Sequence, residues 1–565
     1  MISLTFFRHL SDSRYCFSID ESHTLIRLAV SKLCPLEKVE LIYGDPQNFS
    51  NDHHNIKMEI RYEDKTFLYY EVIVHTYPMR LMYLFKIRSD GKDYYLCEND
   101  IYETFNYDLS FLNTYQFIGE NKNDYVLEKP SWKGRVFYQI FPERFAYREN
   151  CLDKSYVNTS WNEDHLAGRH NAFLGGDLLG VIDKLDYLSD LGISAIYLTP
   201  IHPSQTNHKY DVLDYYDVDP QFGGKEAFRE LVDKAHEKGM KVMMDFVFNH
   251  CSHNNPIFLD VKEKGRESKY YDWFFINGDK PHDFPLNYLC FAKAKYMPKL
   301  NTNNRDLQEY LIKVGEFWVK EFDIDGVRLD VSEGVSHDFW NRFKLALVNI
   351  KPDILVIGEN WLNSESYLNN NQFDGVMNYP FLSTLSSYLL GLKNSKETSF
   401  SLQQLLMRYK DGNNRMMMNI LGSHDIQRMM NLVHDKDLSL LGYAIMVFYL
   451  GYPMIYYGEE IFMEGGRDPD NRHGMRWDSE EFSSYQHQVL KQLLHLRKES
   501  PLAEGEISFY ESSGLLIIKR HIDKQAIEII CNRTDKPIKL NENPIIQNRF
   551  ENGDLLPKGF IIVRR

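Results

Sequence analysis

The chain is organised around Gly326-Val-Arg-Leu-Asp-Val331, a short apolar run that ends in a carboxylate. Three other runs share this form, an apolar segment that leads into a loop with acidic or histidine side chains: Asp245-Phe-Val-Phe-Asn-His250, Val356-Ile-Gly-Glu-Asn-Trp361 and Leu421-Gly-Ser-His-Asp425. Short apolar runs bounded by loop residues are typical of buried β-strands. The pattern therefore predicts strand ends that present the carboxylates Asp330, Glu359 and Asp425.

Arg328 lies two residues before Asp330. Side chains two apart along a strand share a face, so both are expected to point the same way. A guanidinium beside a carboxylate favours the charged form and lowers the pKa of the acid, as a carboxylate nucleophile requires. A second carboxylic acid from another strand could protonate a leaving group. Two carboxyl groups with divided roles are the usual apparatus of glycoside hydrolysis, and the pattern indicates that chemistry.

Strand-like runs alternate with helix-length amphipathic segments from about residue 130 onwards. Eight such runs can be counted, at 136–140, 195–198, 241–246, 326–330, 354–357, 375–377, 418–421 and 454–457. Each is followed by a helical segment or an insertion, which predicts a (β/α)8 TIM barrel over residues 129–500, with the active site in the loops after the strands. The stretch from about 251 to 304 is too long for an ordinary loop and is expected to be a subdomain inserted after strand 3.

Both flanks of the barrel have a β-type pattern. Residues 1–128 consist of short β-branched or aromatic runs separated by Gly, Asn, Asp and Pro, which predicts an N-terminal β-sandwich. After Ser500-Pro501 the alternation stops, and residues 501–565 are expected to form a C-terminal all-β domain. The chain is thus expected to be multidomain, as its 565 residues already suggest.

The amino-acid composition limits the classes of molecule that the protein is expected to bind. The 80 acidic and 65 basic residues give a net charge of −15, which argues against a nucleic acid or an anionic membrane surface and fits a neutral substrate. Seven cysteines without CxxC or CxxH spacing predict neither a disulfide framework nor a zinc site. The N-terminus lacks the features of a leader, and no run approaches a membrane span. We therefore expect a reduced, cytoplasmic protein.

The four strand-end motifs resemble those of the α-amylase family, glycoside hydrolase family thirteen, in the family's order and at compatible intervals. Within the family the chain is most similar to the neopullulanase, cyclomaltodextrinase and maltogenic amylase group. The segments that carry this similarity are Val39-Glu-Leu-Ile-Tyr-Gly-Asp45, His208-Lys-Tyr-Asp211, Met297-Pro-Lys-Leu-Asn301, Gly451-Tyr-Pro-Met-Ile-Tyr-Tyr-Gly-Glu459 and Asp468-Pro-Asp-Asn-Arg472. The first lies in the N-terminal module, which in this group helps to build a dimer, so the resemblance implies a homodimer.

The resemblance implies a role for each strand-end carboxylate. Asp330 would be the nucleophile that forms a glycosyl-enzyme ester, and Glu359 would be the general acid and then the base for water. Asp425 would stabilise the transition state by binding sugar hydroxyls. The implied substrate-binding residues are Tyr210, Asp245, His250, Arg328, Trp361, His424, Asp468 and Arg472.

Some of these residues also have a structural interpretation. Asp245 could orient Arg328 instead of a ring hydroxyl, and Trp361 could fill the core instead of flanking the leaving group. His250 and His424 are read as ligands of the ring in the cleaved position because of their motifs, although such histidines are often structural. Two aromatic residues of the insertion, Tyr288 and Phe291, fit packing and substrate contact equally well.

The chain departs from the family pattern in at least three regions. After the nucleophile, Glu333 and Gly334 stand where the group has an amide and an acid, and Leu362 replaces a histidine after Glu359. The calcium-binding loop near the first strand is also altered. Calcium needs several hard oxygen ligands, and the only candidate ligands that remain are Gly175, Asp177 and Asp153. We expect no required cofactor and no occupied calcium or other metal site.

The favoured function is a retaining α-glucan hydrolase for cyclodextrins, maltodextrins and pullulan. It would cut α-1,4 bonds, tolerate some α-1,6 bonds and transfer some glycosyl groups to sugar acceptors. One alternative is an exo-acting oligo-α-glucosidase of the 1,6-glucosidase type. Another is a catalytically inactive, amylase-like binding protein.

Overall fold

The computed structural model describes residues 2–76, 79–122, 125–162, 171–369 and 371–565. The chain forms two compact units. The first comprises Met1–Glu128 with Glu365–Asn371 and Lys393–Arg415, and the second comprises Lys129–Ser364, Gln372–Leu392 and Met416–Arg565. Two stretches inside the range predicted for the barrel domain therefore pack with the N-terminal residues.

The first unit is built on two antiparallel sheets, as predicted. One sheet contains Phe7–Arg8, Cys16–Ser18, His23–Ser31, Glu59–Glu63 and Phe67–His75. The other contains Leu36–Gly44, His54–Lys57, Arg80–Ser89, Lys92–Leu96, Ile101–Tyr102 and Tyr115–Ile118. Apolar residues of both sheets, among them Ile26, Leu28, Leu41 and Leu81, form one buried core. This arrangement is a sandwich.

A short helix covers the first sheet. The helix Ser395–Leu406 begins with a capping box between Asn394 and Glu397, and Gln403 on it accepts a hydrogen bond from the backbone N–H of Glu63 at 3.1 Å. The short helix Asp411–Arg415 supplies Asp411, whose carboxylate lies 2.9 Å from the buried guanidinium of Arg27. Ion pairing of a buried arginine avoids the cost of an uncompensated charge.

The second unit contains an eight-stranded parallel sheet. Its strands are Phe137–Ile140, Ala195–Leu198, Lys241–Phe246, Gly326–Leu329, Leu355–Gly358, Gly375–Val376, Met418–Asn419 and Tyr452–Tyr456. They pair in chain order, the first with the eighth, and a parallel bridge between Met377 and Met418 joins the sixth to the seventh. All eight predicted runs are strands, and the predicted (β/α)8 barrel is confirmed.

Helices follow the strands around the barrel. Their bounds are Leu178–Asp183, Leu185–Leu191, Gly224–Glu237, Arg305–Phe322, His337–Ile350, Tyr379–Leu389, Lys436–Phe448 and Tyr485–Leu496. Local sequence sets their ends. The helix Arg305–Phe322, for example, starts where the Asn304 side chain accepts from the backbone of Leu307 and ends at Asp323, which has a left-handed backbone. After the first strand, the helical segment is divided into two helices that meet at Lys184.

The segment after the third strand forms the predicted insertion. It contains the helix Pro256–Lys264 and the short 3-10 turns Gly265–Glu267, Tyr271–Trp273 and Phe291–Lys293. Phe258, Phe274 and Tyr288 pack together, with ring centroids 4.8 and 5.2 Å from Phe258. Tyr288 is therefore a packing residue.

The C-terminal residues form a six-stranded antiparallel sheet, as predicted. Its strands are Glu506–Ser512, Leu515–Ile522, Gln525–Asn532, Ile538–Lys539, Ile546–Glu551 and Asp554–Arg564. The buried guanidinium of Arg520 donates to the carbonyls of Phe448, at the end of a barrel helix, and Gly505. Within the described ranges, no helix has the length and apolar character needed to cross a membrane.

Candidate active site

A cavity of about 480 Å³ opens at the carboxyl ends of the barrel strands. Its lining comprises His208, Tyr210, His250, Phe291, Ala292, Ala294, Tyr296, Met297, Asp330, Val331, Glu333, Glu359, Trp361, Asp425, Asp468 and Arg472. The three carboxylates predicted to be catalytic all line it. Five of the predicted substrate-binding residues do so as well, and the other three, Asp245, Arg328 and His424, are buried next to it.

Arg328 is the centre of the site. Its Nη1 lies 2.9 Å from both carboxylate oxygens of Asp245 and 2.9 Å from Oδ1 of Asp330. Its Nη2 lies 3.0 Å from Oε2 of Glu359 and 3.7 Å from Oδ2 of Asp425. The guanidinium is fully buried. One cation therefore gathers four carboxyl groups that come from the ends of four separate strands.

The second oxygen of Asp330 is available to a substrate. Oδ1 is held by Arg328, whereas Oδ2 is buried and has no hydrogen-bond partner among the described residues. Because Asp330 also lines the cavity, an anomeric carbon bound there would meet an oriented carboxylate oxygen. This geometry suits a nucleophile.

The pKa of Asp330 differs from the low value expected from the sequence. Burial raises the pKa of Asp330 well above its ordinary value, and the nearby Glu359, Asp245 and Asp425 raise it further, while Arg328 opposes them. The expected influence of Arg328 is present, but the expected low pKa is wrong because desolvation outweighs a single guanidinium.

The other carboxyl groups show the same competition. Burial raises the pKa of Asp245 to about 6, against the opposing effect of Arg328, and it also raises the pKa of Asp425. In both groups burial disfavours the charged carboxylate, and the nearby guanidinium of Arg328 offsets this only in part.

Glu359 is fixed by donors on both oxygens. Trp361 Nε1 donates to Oε1 at 3.0 Å, and the backbone N–H of Val331 donates to Oε2 at 2.8 Å. Val331 has a φ of 43°, which is costly for a β-branched residue and is tolerated only where the surroundings impose it. The strained peptide next to Asp330 thus orients Glu359 and couples the two carboxyl groups mechanically.

Tyr210 and His424 form a rigid wall of the site. Their rings stack at a centroid distance of 5.4 Å, and the Tyr210 hydroxyl contacts His424 Nε2 at 2.5 Å and donates to Asp245 at 3.0 Å. Burial, together with Arg472 and Arg328, lowers the pKa of His424 well below its ordinary value, so its ring is neutral. Tyr210 therefore presents an oriented aromatic ring to the cavity, and the buried His424 holds this ring in place from behind.

His250, the last residue of the motif at 245–250, also lines the cavity. Its ring stacks on Phe291 with centroids 4.9 Å apart, and burial lowers its pKa to about 3. Its Nε2 is buried and lacks a hydrogen-bond partner among the described residues. Since buried polar atoms are normally satisfied, this nitrogen is positioned for a ligand hydroxyl.

Asp468 and Arg472 close one side of the cavity. Arg472 Nη2 lies 2.9 Å from Asp468 and 3.6 Å from Asp425, and Arg472 Nε donates to the carbonyl of His424 at 2.9 Å.

Trp361 lines another side of the cavity. Its side chain is 42% exposed, and its ring stacks on that of Tyr379 with centroids 4.1 Å apart. Partial exposure with a fixed ring favours substrate contact over core filling.

Several lining residues were not singled out in the sequence as site residues. Tyr296, Ala292 and Ala294 come from the insertion, whose length indicated a subdomain but not its individual contacts. Phe291, one of the two ambiguous aromatics, lies on the cavity side. Glu333 also lines the cavity, so the departure after the nucleophile alters the site itself.

The three remaining calcium-ligand candidates do not share a single site. Gly175 and Asp177 both contact the ammonium group of Lys154, whereas Asp153 accepts from the backbone and hydroxyl of Ser155. Among the described residues, no group of three or more histidine, cysteine, aspartate or glutamate side chains could hold a metal ion.

A parallel barrel with paired carboxylates in a sugar-sized cavity at its carboxyl end defines a glycoside hydrolase. A family model described as "Alpha amylase, catalytic domain" matches residues 139–500, and one described as "Alpha amylase, N-terminal ig-like domain" matches residues 1–118. The chain belongs to the α-amylase family.

Relatives with established names match along nearly the whole chain. A cyclomaltodextrinase of Thermoanaerobacter pseudethanolicus is 36% identical, with 94% of this chain and 93% of the relative covered. An intracellular maltogenic amylase of Bacillus subtilis is 34% identical, with 96% and 93% covered. Neopullulanase 2 of Thermoactinomyces vulgaris is 34% identical, with 95% and 92% covered. The three names are those of the group that the motifs predict, which confirms the resemblance.

A solved structure supports the fold over the same length. A cyclomaltodextrinase with 30% sequence identity superimposes with a TM-score of 0.88, covering 100% of this chain and 98% of that one. The protein is therefore an α-amylase-family hydrolase.

Proposed function

We propose that the protein hydrolyses α-1,4 bonds of cyclodextrins, maltodextrins and pullulan with retention of configuration, tolerates some α-1,6 bonds and transfers some glycosyl groups to sugar acceptors. The observation that carries this proposal is the pair formed by Asp330, with one oxygen on Arg328 and the other without a partner, and Glu359 beside it. The names of the relatives support the substrate class.

The reaction proceeds in two displacements. Glu359 gives a proton to the glycosidic oxygen while Oδ2 of Asp330 attacks the anomeric carbon, so the bond to the leaving sugar breaks and an ester forms. Water, or a sugar hydroxyl in transfer, then gives its proton to Glu359 and attacks the same carbon. The ester breaks, Asp330 is restored, and two inversions give net retention.

The surrounding residues bind the sugar that reacts. His250 Nε2 presents a neutral imidazole to hydroxyl groups, and the ring of Tyr210, held by His424, lies beneath the sugar. Asp425 accepts from hydroxyls next to the reacting carbon, and the Asp468–Arg472 pair holds the neighbouring sugar on the non-reducing side. Trp361 and Phe291 offer apolar faces to the remaining sugars.

The substrate range can be tested by comparing γ-cyclodextrin with soluble starch at equal glucose concentration. A cavity of about 480 Å³ accommodates a few sugar rings, so we expect a higher kcat/KM for γ-cyclodextrin. Faster turnover of starch would refute the preference for small substrates. Product analysis on maltotriose and pullulan separates the exo-acting alternative, which gives glucose alone, from the proposed activity, which gives maltose and panose.

We also propose a cytoplasmic location and a homodimer formed through the N-terminal domain. All seven cysteines lie in the described part of the chain as free thiols, as suits a reducing compartment, and one relative is named intracellular. The N-terminal domain carries exposed apolar side chains at Leu109, Phe111 and Leu112, which are 51, 63 and 65% exposed. In sedimentation equilibrium, the parent chain should be a dimer, and an F111D variant should form a weaker dimer. A monomeric parent chain would contradict this proposal.

A further inference from the structure

The loop between the first barrel strand and the helix Leu178–Asp183 contains a cation supplied by the chain itself. Lys154 Nζ lies 2.7 Å from Oδ2 of Asp177, 2.8 Å from the carbonyl oxygen of Gly175 and 3.5 Å from the Tyr156 hydroxyl. Gly175 and Asp177 are two of the three residues that the family resemblance leaves as calcium ligands. A lysine ammonium thus lies where their oxygens converge.

These residues do not suit a calcium ion. Calcium takes six to eight oxygen ligands, usually with several carboxylates. Here the third candidate, Asp153, directs both oxygens to Ser155 at 2.9 and 3.1 Å. A divalent ion at Asp177 would also lie against the positive charge of Lys154, and the repulsion would oppose binding.

The ammonium group satisfies the site without a metal. Asp177 is fully buried, and its other oxygen, Oδ1, caps the following helix by accepting from Gly180 N at 2.6 Å. One lysine charge balances this one carboxylate. The three N–H donors of an ammonium match the oxygens around it.

We propose that Lys154 is the resident cation of this loop and takes the place of a divalent metal ion, so that neither folding nor activity depends on calcium. The loop supports the wall of the active site. The carbonyl oxygen of Ala172 accepts from Arg144 at 2.8 Å and from Asn207 at 2.9 Å, and Asn207 precedes the cavity residue His208.

An ordinary surface ion pair would contribute little to stability. Lys154 differs from such a pair because its partner is inaccessible to water, and loss of the ammonium would leave a buried carboxylate without compensation. Lys491 provides the matched control. It lies 2.6 Å from Asp190, and the side chain of Asp190 is 71% exposed.

The experiment uses the full chain, stripped with EDTA and dialysed, in thermal unfolding and isothermal titration with calcium chloride. We expect no binding heat and the same Tm and kcat with EDTA or with calcium. Lys154→Met should lower the Tm by several degrees, whereas Lys491→Met should leave it unchanged within error.

Two results would overturn the proposal. One is stoichiometric calcium binding by the parent chain with a rise in Tm, and the other is a Lys154→Met variant as stable as Lys491→Met. If Lys154→Met does not fold, the parent titration still decides the calcium question. These readouts concern binding and stability, so they are independent of the proposed substrate and mechanism.

Discussion

Replacing Asp330 by alanine is expected to lower kcat on γ-cyclodextrin by at least about 10⁴-fold, the scale on which loss of a catalytic nucleophile acts in other enzymes. The variant lacks Oδ2 of Asp330, a buried carboxylate oxygen of a cavity-lining residue that has no hydrogen-bond partner among the described residues. Sodium azide with an activated α-maltosyl fluoride should restore turnover, because the small anion enters the vacated space. The product should be the β-configured glycosyl azide.

The control for this variant lies at the other end of the same strand. Asp325 directly precedes the strand Gly326–Leu329, is buried, and lies 2.7 Å from His236 and 2.9 Å from Lys351. Asp325→Asn should reduce stability through the lost ion pairs while keeping kcat per folded molecule near that of the parent. Equal losses of kcat in both variants would show that Asp330 acts through folding, not chemistry.

Replacing Glu359 by alanine is expected to slow hydrolysis of γ-cyclodextrin by about 10²–10⁴-fold, the usual contribution of general acid catalysis. A sugar leaving group needs a proton, whereas fluoride does not. In this variant, formation of the glycosyl-enzyme ester from α-maltosyl fluoride should therefore be slowed less than hydrolysis of γ-cyclodextrin. Azide should attack this ester from the face that Glu359 occupied and give the α-configured glycosyl azide.

The opposite configurations of the two azide products make the assignment of roles testable. A β-configured product from Glu359→Ala, or an α-configured product from Asp330→Ala, would exchange the roles assigned to the two carboxylates. Chromatography and proton NMR of the isolated azides distinguish the two anomers.

Local patterns predicted the parts of the molecule that depend on them. Each barrel strand is a short apolar run, and the alternation of side chains along Gly326–Leu329 placed Arg328 beside Asp330. The order of the strand-end motifs brought four carboxyl groups to one rim because parallel strands of a barrel share that rim. These features follow from the alternation of side chains along one strand and from the parallel order of the strands.

Features that depend on long-range packing were not predictable in this way. The helix Ser395–Leu406 has an ordinary amphipathic sequence, and its association with the N-terminal residues is shown by tertiary contacts, such as those with the strand Glu59–Glu63. The pKa of Asp330 is raised because burial and three other carboxyl groups outweigh Arg328, and the sequence shows the guanidinium but not the burial. The contact of Lys154 with Asp177 joins positions 23 residues apart, and no local pattern in the sequence indicates it.

In the proposed mechanism, Asp330 and Glu359 act on opposite faces of one anomeric carbon in two successive displacements. Proton NMR of the first product formed from γ-cyclodextrin, recorded before mutarotation, reveals the number of displacements. With two displacements, the new reducing end is expected to appear first as the α anomer and to equilibrate only later. A first product in the β configuration would mean a single displacement by water and would refute the roles assigned to Asp330 and Glu359.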